Sequence, residues 1–330
     1  MDLSIWVIIL IVTVLIFDFF NGFNDSANIA ATIISSHSMR PRTALAIAAL
    51  AGFAGPFVFG VAVAKTIGND ITIPEFITIQ VLVAALISAC IWSIITWAYG
   101  IPSSSSHSLI GGLIGAVIIS SGIKALLAKG LIIVSVALLF SPVAGLFFGW
   151  LIMKLIHRLL KNATPKANYF FKFGQIPTAI ALASGNGAND AQKTIGIIIL
   201  ALITTGYQQQ FFVPLWVILI CAGAKSLGSL VGGWRIIHTM GTRFYKIKPI
   251  HSFTSQMASS IVIIVSSLFG GPVSTTQVVS MSIIGAGAGE RLSKVRWLAL
   301  KDIFLSWIFT IPFTALLAIL IYLLLKLFFH

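Results

Sequence analysis

The chain has 330 residues, 58% of them hydrophobic and only 9% charged, with a mean hydropathy of +1.03. A soluble domain carries roughly a quarter charged residues, so this composition excludes an ordinary water-soluble enzyme or nucleic-acid binder. The net charge of +13, from 21 Lys and Arg against 8 Asp and Glu, lies in short loops between apolar runs and reads as membrane topology.

At about 20 apolar residues per crossing, the chain has room for about ten to twelve spans and little else. In chain order, five crossings are predicted in the first half: Ile5–His37, Ala44–Ala64, Phe76–Tyr99, Ser104–Gly122 and Gly130–Met153. Five follow in the second: Gly174–Thr205, Phe212–Trp234, Ser252–Phe269, Ser274–Gly289 and Ile303–Lys326. No Lys or Arg precedes the first apolar run and no clear cleavage site follows it, so it is expected to stay as a membrane segment. Cys90 and Cys221 lie within apolar segments, where a thiol acts as a small hydrophobe and offers neither a disulfide framework nor a thiolate metal site.

Polar motifs recur between the halves. Asn21-Gly22-Phe23-Asn24-Asp25 returns as Asn186-Gly187-Ala188-Asn189-Asp190, an offset of 165. Pro102-Ser103-Ser104-Ser105-Ser106-His107 matches Pro272-Val273-Ser274-Thr275-Thr276-Gln277 at an offset of 170, which Pro142 and Pro312 keep. Three coincidences in register indicate a tandem duplication. The expected organisation is a first repeat over 1–153, a short basic cytoplasmic linker over 154–172 and a second repeat over 173–330. Thirty-three residues of helix would reach about 50 Å, too long for one straight crossing. The first crossing of each half is therefore expected to break at its Asn-Gly-Xaa-Asn-Asp run.

An odd number of crossings per repeat inverts the second repeat relative to the first. Charge supports one orientation: with both termini extracytoplasmic, 15 of the 21 basic residues fall on the cytoplasmic side and 4 outside. Lys193 and Lys225 stay within the membrane. The fold class so predicted is an all-α polytopic membrane protein with two inverted-topology repeats, broken transmembrane helices and 10–12 helical segments.

Three acidic residues, Asp18, Asp25 and Asp190, lie inside apolar segments, where an ionised carboxylate needs a partner, water or a cation. Asp25 and Asp190 hold equivalent positions, which points to a joint role, whereas Asp18 aligns with Ala183. Asn24, Asn189 and the two aspartates form an oxygen-only set suited to a hard cation such as sodium, and a protonated carboxyl would serve equally for proton coupling. Ser103–Ser106 and Ser274–Thr276 each follow a proline and open a helix. Hydroxyls and free N–H groups at a helix N-terminus suit a tetrahedral oxyanion, and the same residues are also ordinary N-caps. Lys193 lies three residues after Asp190, on one helix face, able to neutralise the carboxylate or meet the anion; its counterpart is Asn28. Lys225 aligns with Gly55 and has no evident partner. His107 aligns with Gln277, so capping and a coupling role both stand for it.

These motifs resemble the inorganic phosphate transporter (PiT) family, whose members carry a Gly-Ala-Asn-Asp signature in each repeat and a Pro-Xaa-Ser-Ser/Thr-Ser/Thr-His element downstream. Here the signatures read Gly22-Phe23-Asn24-Asp25 and Gly187-Ala188-Asn189-Asp190, and the resemblance spans essentially the whole chain. It implies a symporter importing phosphate with sodium or protons through the cell membrane, with no cofactor beyond that coupling ion and no enzymatic activity. By the same resemblance Asn24, Asp25, Asn189 and Asp190 would serve the coupling cation, Asp25 and Asp190 as sodium ligands if sodium is used. Asn28, Ser104, Ser105, Ser106, Ser274, Thr275 and Thr276 would line the substrate site, joined by Lys193. Phe23, Gln277 and Gln256 depart from the usual Ala, His and Glu, which leaves sulfate as the alternative substrate. An anion channel fits less well, because paired central carboxylates would repel its substrate. Expected partners are phosphate or sulfate, membrane lipid and a second copy as a homodimer, with no nucleic acid.

Overall fold

The computed structural model describes residues 3–67, 76–161, 164 and 166–328. Three residues of the predicted linker, Asn162, Ala163 and Pro165, and both chain ends lie outside them. Within the described residues the chain forms twelve α-helices: α1 (Leu3–Ser35), α2 (Pro41–Phe59), α3 (Ala62–Lys65), α4 (Ile79–Ala98), α5 (Ser105–Ser121), α6 (Ala128–Leu159), α7 (Ala167–Thr204), α8 (Leu215–Val231), α9 (Trp234–Thr242), α10 (Pro249–Leu268), α11 (Thr275–Glu290) and α12 (Trp297–Phe328). Five of them are long and apolar enough to cross a membrane, six if the bent α8–α9 pair is one span. This is a multi-pass helical membrane protein.

The packing repeats with an index shift of six. α1 packs on α8 and α9 and α7 packs on α2 and α3, while α5 lies against α12 and α11 against α6. The two repeats therefore interlock, and each long motif helix is held by the second crossing of the other half. Two apolar clusters flank the middle. One gathers Leu10, Val14 and Phe17 of α1 with Leu82, Leu86, Leu109 and Leu113; the other gathers Leu182, Met240, Phe244, Ile263, Ile283 and Ile284.

The breaks do not fall where the motifs suggested. α1 and α7 run unbroken through Asn21–Asp25 and Asn186–Asp190. The interruptions come in the second crossing of each half. One is at Gly60, whose φ of 76° ends α2; the other is at Gly232, with φ of 78°, where α8 turns into α9 through 68°. The physical reason is visible at the motif glycines. A Cβ on Gly22 would lie 1.8 Å from the Lys225 carbonyl oxygen, and one on Gly187 would lie 1.9 Å from that of Gly52. Glycine is used here for close helix crossing, and Asn24 and Asn189 turn their amides to the neighbouring hairpins instead of unwinding the backbone.

α4 with α5, and α10 with α11, form hairpins. The return legs α5 and α11 have 17 and 16 residues, about 25 Å of helix, short of a 30 Å hydrocarbon core. The two hairpins meet near their tips, where Ser106 Oγ donates to the Val273 carbonyl at 2.8 Å. The predicted segments Ser104–Gly122 and Ser274–Gly289 are these return legs. A hairpin and a pair of full crossings both return the chain to its starting side, so the charge argument is the same for either.

Candidate functional site

Three helices deliver charge to one buried point. Asp25 comes from α1, Asp190 and Lys193 from α7 and Lys225 from α8; the N-termini of α5 and α11 close over them. Lys193 Nζ is 2.5 Å from Asp190 Oδ1, and Lys225 Nζ is 2.6 Å from Asp190 Oδ2 and 3.4 Å from Asp25 Oδ2. Two carboxylates and two ammonium groups give formal neutrality, which is the condition under which such a cluster survives out of water. None of these four residues is more than 5% exposed.

The hydroxyl residues complete the arrangement asymmetrically. Thr276 Oγ1 donates to Asp25 Oδ1 at 3.1 Å, and Asn28 Nδ2 reaches the same oxygen at 2.9 Å. Thr275 Oγ1 donates to Asp190 Oδ2 at 3.1 Å. Ser106 Oγ accepts from Lys193 Nζ at 2.6 Å, and the ammonium also reaches the Val273 carbonyl at 2.9 Å. Both aspartates thus lie beside the opening turn of α11, where the helix dipole favours negative charge.

The remaining predicted residues have more structural partners. Ser104 and Ser274 are N-caps, accepting from the backbone N–H of His107 at 3.2 Å and of Gln277 at 3.4 Å. Ser104 Oγ also lies 2.6 Å from His107 Nδ1, which ties that ring to the cap. Ser105 is half-buried and, among the described residues, makes no hydrogen bond to either carboxylate. Asn189 fixes the second hairpin: its Nδ2 donates to Ser267 Oγ at 2.9 Å and the Gly271 carbonyl at 3.2 Å, and its Oδ1 accepts from Val273 N at 3.2 Å. Asn24 reaches only as far as the Ser93 carbonyl, at 3.4 Å. Asp18 stands apart from the pair and accepts from Thr194 Oγ1 at 2.8 Å. Gln256 joins α10 to α7 and α1, accepting from Thr178 Oγ1 at 2.7 Å and donating to Thr32 Oγ1 at 3.3 Å.

Lys225 is the member that sequence reasoning left without a partner. It lies 200 residues from Asp25 and its repeat counterpart is a glycine, so neither local spacing nor symmetry announces the contact. The signal that was present is a lone cation inside an apolar run, which must find an anion somewhere in the fold.

A multi-pass helical protein of interlocked repeats, with a neutralised charge cluster where the motif helices and two hairpin tips converge, is built as a membrane transporter. Comparison with known proteins agrees. The chain matches the phosphate transporter family over residues 21–318. It is 42% identical over 315 residues to a probable low-affinity inorganic phosphate transporter of Rhizobium meliloti, covering 95% of this chain and 94% of that one. A protein of the same description from Bacillus subtilis is 39% identical over 333 residues, covering 99% of both. Among solved structures, that of the sodium-dependent phosphate transporter superposes with a TM-score of 0.89 over 98% of this chain and 99% of that one, at 24% identity. The protein belongs to the phosphate transporter family, and it is a transporter and not an enzyme.

Proposed function

We propose that the protein is a secondary symporter that imports inorganic phosphate through the cell membrane by alternating access, coupled to a cation, either sodium or the proton. The observation that carries the reading is the meeting of Asp25 and Asp190, from equivalent places in the two repeats, beneath hydroxyls of the α5 and α11 N-termini. Relatives described as inorganic phosphate transporters over nearly the full chain support phosphate as the substrate. In this reading Asp25, Asp190, Asn24 and Asn189 serve the cation side. Ser106, Thr275 and Thr276 serve the anion; Asn28 and Lys193 face it too and also bond the aspartates of the cation side, with Ser104 and Ser274 capping the helices whose N–H groups face the anion. A substrate anion entering this cluster competes with the carboxylates for hydroxyls and ammonium groups. An accompanying cation relieves that competition by neutralising a carboxylate, which couples the two bindings. In this reading both termini lie on the extracytoplasmic side, which the distribution of basic loops supports.

The test is uptake of labelled phosphate and labelled sulfate, measured separately in proteoliposomes under imposed sodium or proton gradients. Uphill phosphate accumulation that sulfate fails to compete away is the expected result. Sulfate accumulation without phosphate uptake overturns the substrate, and flux that only follows the anion's own gradient overturns symport.

A further inference from the structure

The two halves of the charge cluster are not equivalent, and the difference is a single residue. At the offset that superposes Asp25 on Asp190, Lys193 falls on Asn28. Both side chains do the same work: each reaches its own repeat's aspartate and a hydroxyl from the Ser/Thr element of the opposing repeat. Asn28 Nδ2 lies 2.9 Å from Asp25 Oδ1 and 3.4 Å from Thr276 Oγ1, and Lys193 Nζ lies 2.5 Å from Asp190 Oδ1 and 2.6 Å from Ser106 Oγ. The ammonium adds a third oxygen, the Val273 carbonyl at 2.9 Å. Three oxygens, one of them anionic, around a monovalent positive charge in a side chain only 2% exposed make the oxygen cage that a hard monovalent cation takes.

In the first repeat the corresponding face of α1 carries oxygens without donors. The Oδ1 atoms of Asn21, Asn24 and Asn28 are buried and make no hydrogen bond, and their spacing of three and four residues sets them on one helix face beside Asp25. In the second repeat Asn186, the counterpart of Asn21, also has a buried Oδ1 without a donor, but the Asn189 Oδ1 is taken by Val273 N and Lys193 stands in place of Asn28. Lys225 bridges both carboxylates and so belongs to neither half.

We propose that Lys193 is a tethered cation. Its ammonium supplies, beside Asp190, the positive charge that a mobile coupling cation supplies beside Asp25, where the neutral Asn28 amide fills the equivalent place. Each transport cycle therefore carries one mobile cation fewer than the symmetry of the repeats would give. The inference rests on the reading of the protein as a cation-coupled transporter.

The test copies the first repeat into the second with Lys193→Asn. Uptake of labelled sodium and labelled phosphate is measured together in proteoliposomes under an inside-negative potential. The sodium-to-phosphate ratio is expected to rise by one over the wild-type value, whatever that value is, and uptake becomes steeper in external sodium. An active variant with the wild-type ratio overturns the proposal. If the variant folds but does not transport, its unfolding temperature is followed in sodium and in choline. Protection by sodium beyond that of the wild type supports the tether, and equal protection overturns it. A variant recovered in neither salt also overturns it, because a free sodium ion then fails to replace the ammonium. Wild-type protein that accumulates no anion under any gradient refutes the transport reading instead, and the two failures are told apart because the sodium-protection comparison needs no transport.

Discussion

The crossing of α1 and α8 makes a sharp prediction through Gly22. A Cβ placed there would lie 1.8 Å from the carbonyl oxygen of Lys225 and 2.7 Å from its carbonyl carbon, both backbone atoms. Side chains yield to such a clash by rotating, but a helix backbone yields only by moving, so Gly22→Ala must push α8 away by at least about 1 Å to restore ordinary separations. That movement carries Lys225 with it. Its Nζ is already 3.4 Å from Asp25, so the bridge between the two carboxylates breaks first, followed by the 3.1 Å bond from Ser229 Oγ to the Gly22 carbonyl. Overpacking of this kind costs ~1–3 kcal/mol, before any cost of a weakened buried ion pair. For a chain of this size that corresponds to a fall in melting temperature on the order of a few degrees or more. Scanning fluorimetry of detergent-purified protein reads the stability, and labelled-phosphate uptake in proteoliposomes reads the function; both are expected to fall. Gly223→Ala is the control, two residues from Lys225 on the same helix. A Cβ there meets nothing within 4 Å, so uptake should be unchanged and stability should be equal or up to ~1 kcal/mol higher. A Gly22→Ala protein that melts and transports like wild type would refute the claim that this glycine sets the helix separation and the Lys225 position.

Three further outcomes follow from the cluster geometry. Asp25→Asn and Asp190→Asn should each abolish coupled uptake, but Asp190→Asn should destabilise more, by about 3–5 kcal/mol, because it strips both ammonium groups of their nearest anion; equal melting temperatures for the two variants would show that the charges are not shared as described. Thr276→Val keeps the shape and removes the donor to Asp25 and the partner of Asn28, a charge-assisted bond of ~1.5–3 kcal/mol, so phosphate uptake should weaken about 10- to 100-fold in kcat/KM. Ser104→Ala removes the cap of α5 and the partner of His107, which should cost ~0.5–2 kcal/mol by thermal unfolding; His107→Gln, which copies the second repeat, should retain the cap and most of the stability.

Local chemistry explains which parts of this molecule were legible in advance. Apolar runs interrupted by basic loops located the helical segments, because hydrophobic length is a property of consecutive residues, but did not separate full crossings from the short hairpin legs α5 and α11. Duplication exposed Asp25 with Asp190 and the paired Ser/Thr elements, since two copies of a motif compare themselves. The expected breaks at the Asn-Gly-Xaa-Asn-Asp runs failed for an equally physical reason. Propensity sees Asn and Gly as helix breakers, but at Gly22 and Gly187 the missing Cβ is consumed by a crossing helix, and the chain stays helical because that packing rewards it. The real interruptions, at Gly60 and Gly232, were read through as ordinary span residues.

What the sequence by itself determined is the class of structure, the doubled architecture and the identity of the two carboxylates, all set by residue type, run length and repetition. Only the tertiary structure decided what neutralises those carboxylates. Lys225 joins aspartates 200 and 35 residues away in sequence, and Lys193 finds its second and third oxygens on two hairpin tips from different repeats. Charge compensation in a low-dielectric interior acts over a few ångströms in space and is blind to distance along the chain, so it is settled by how the repeats interlock.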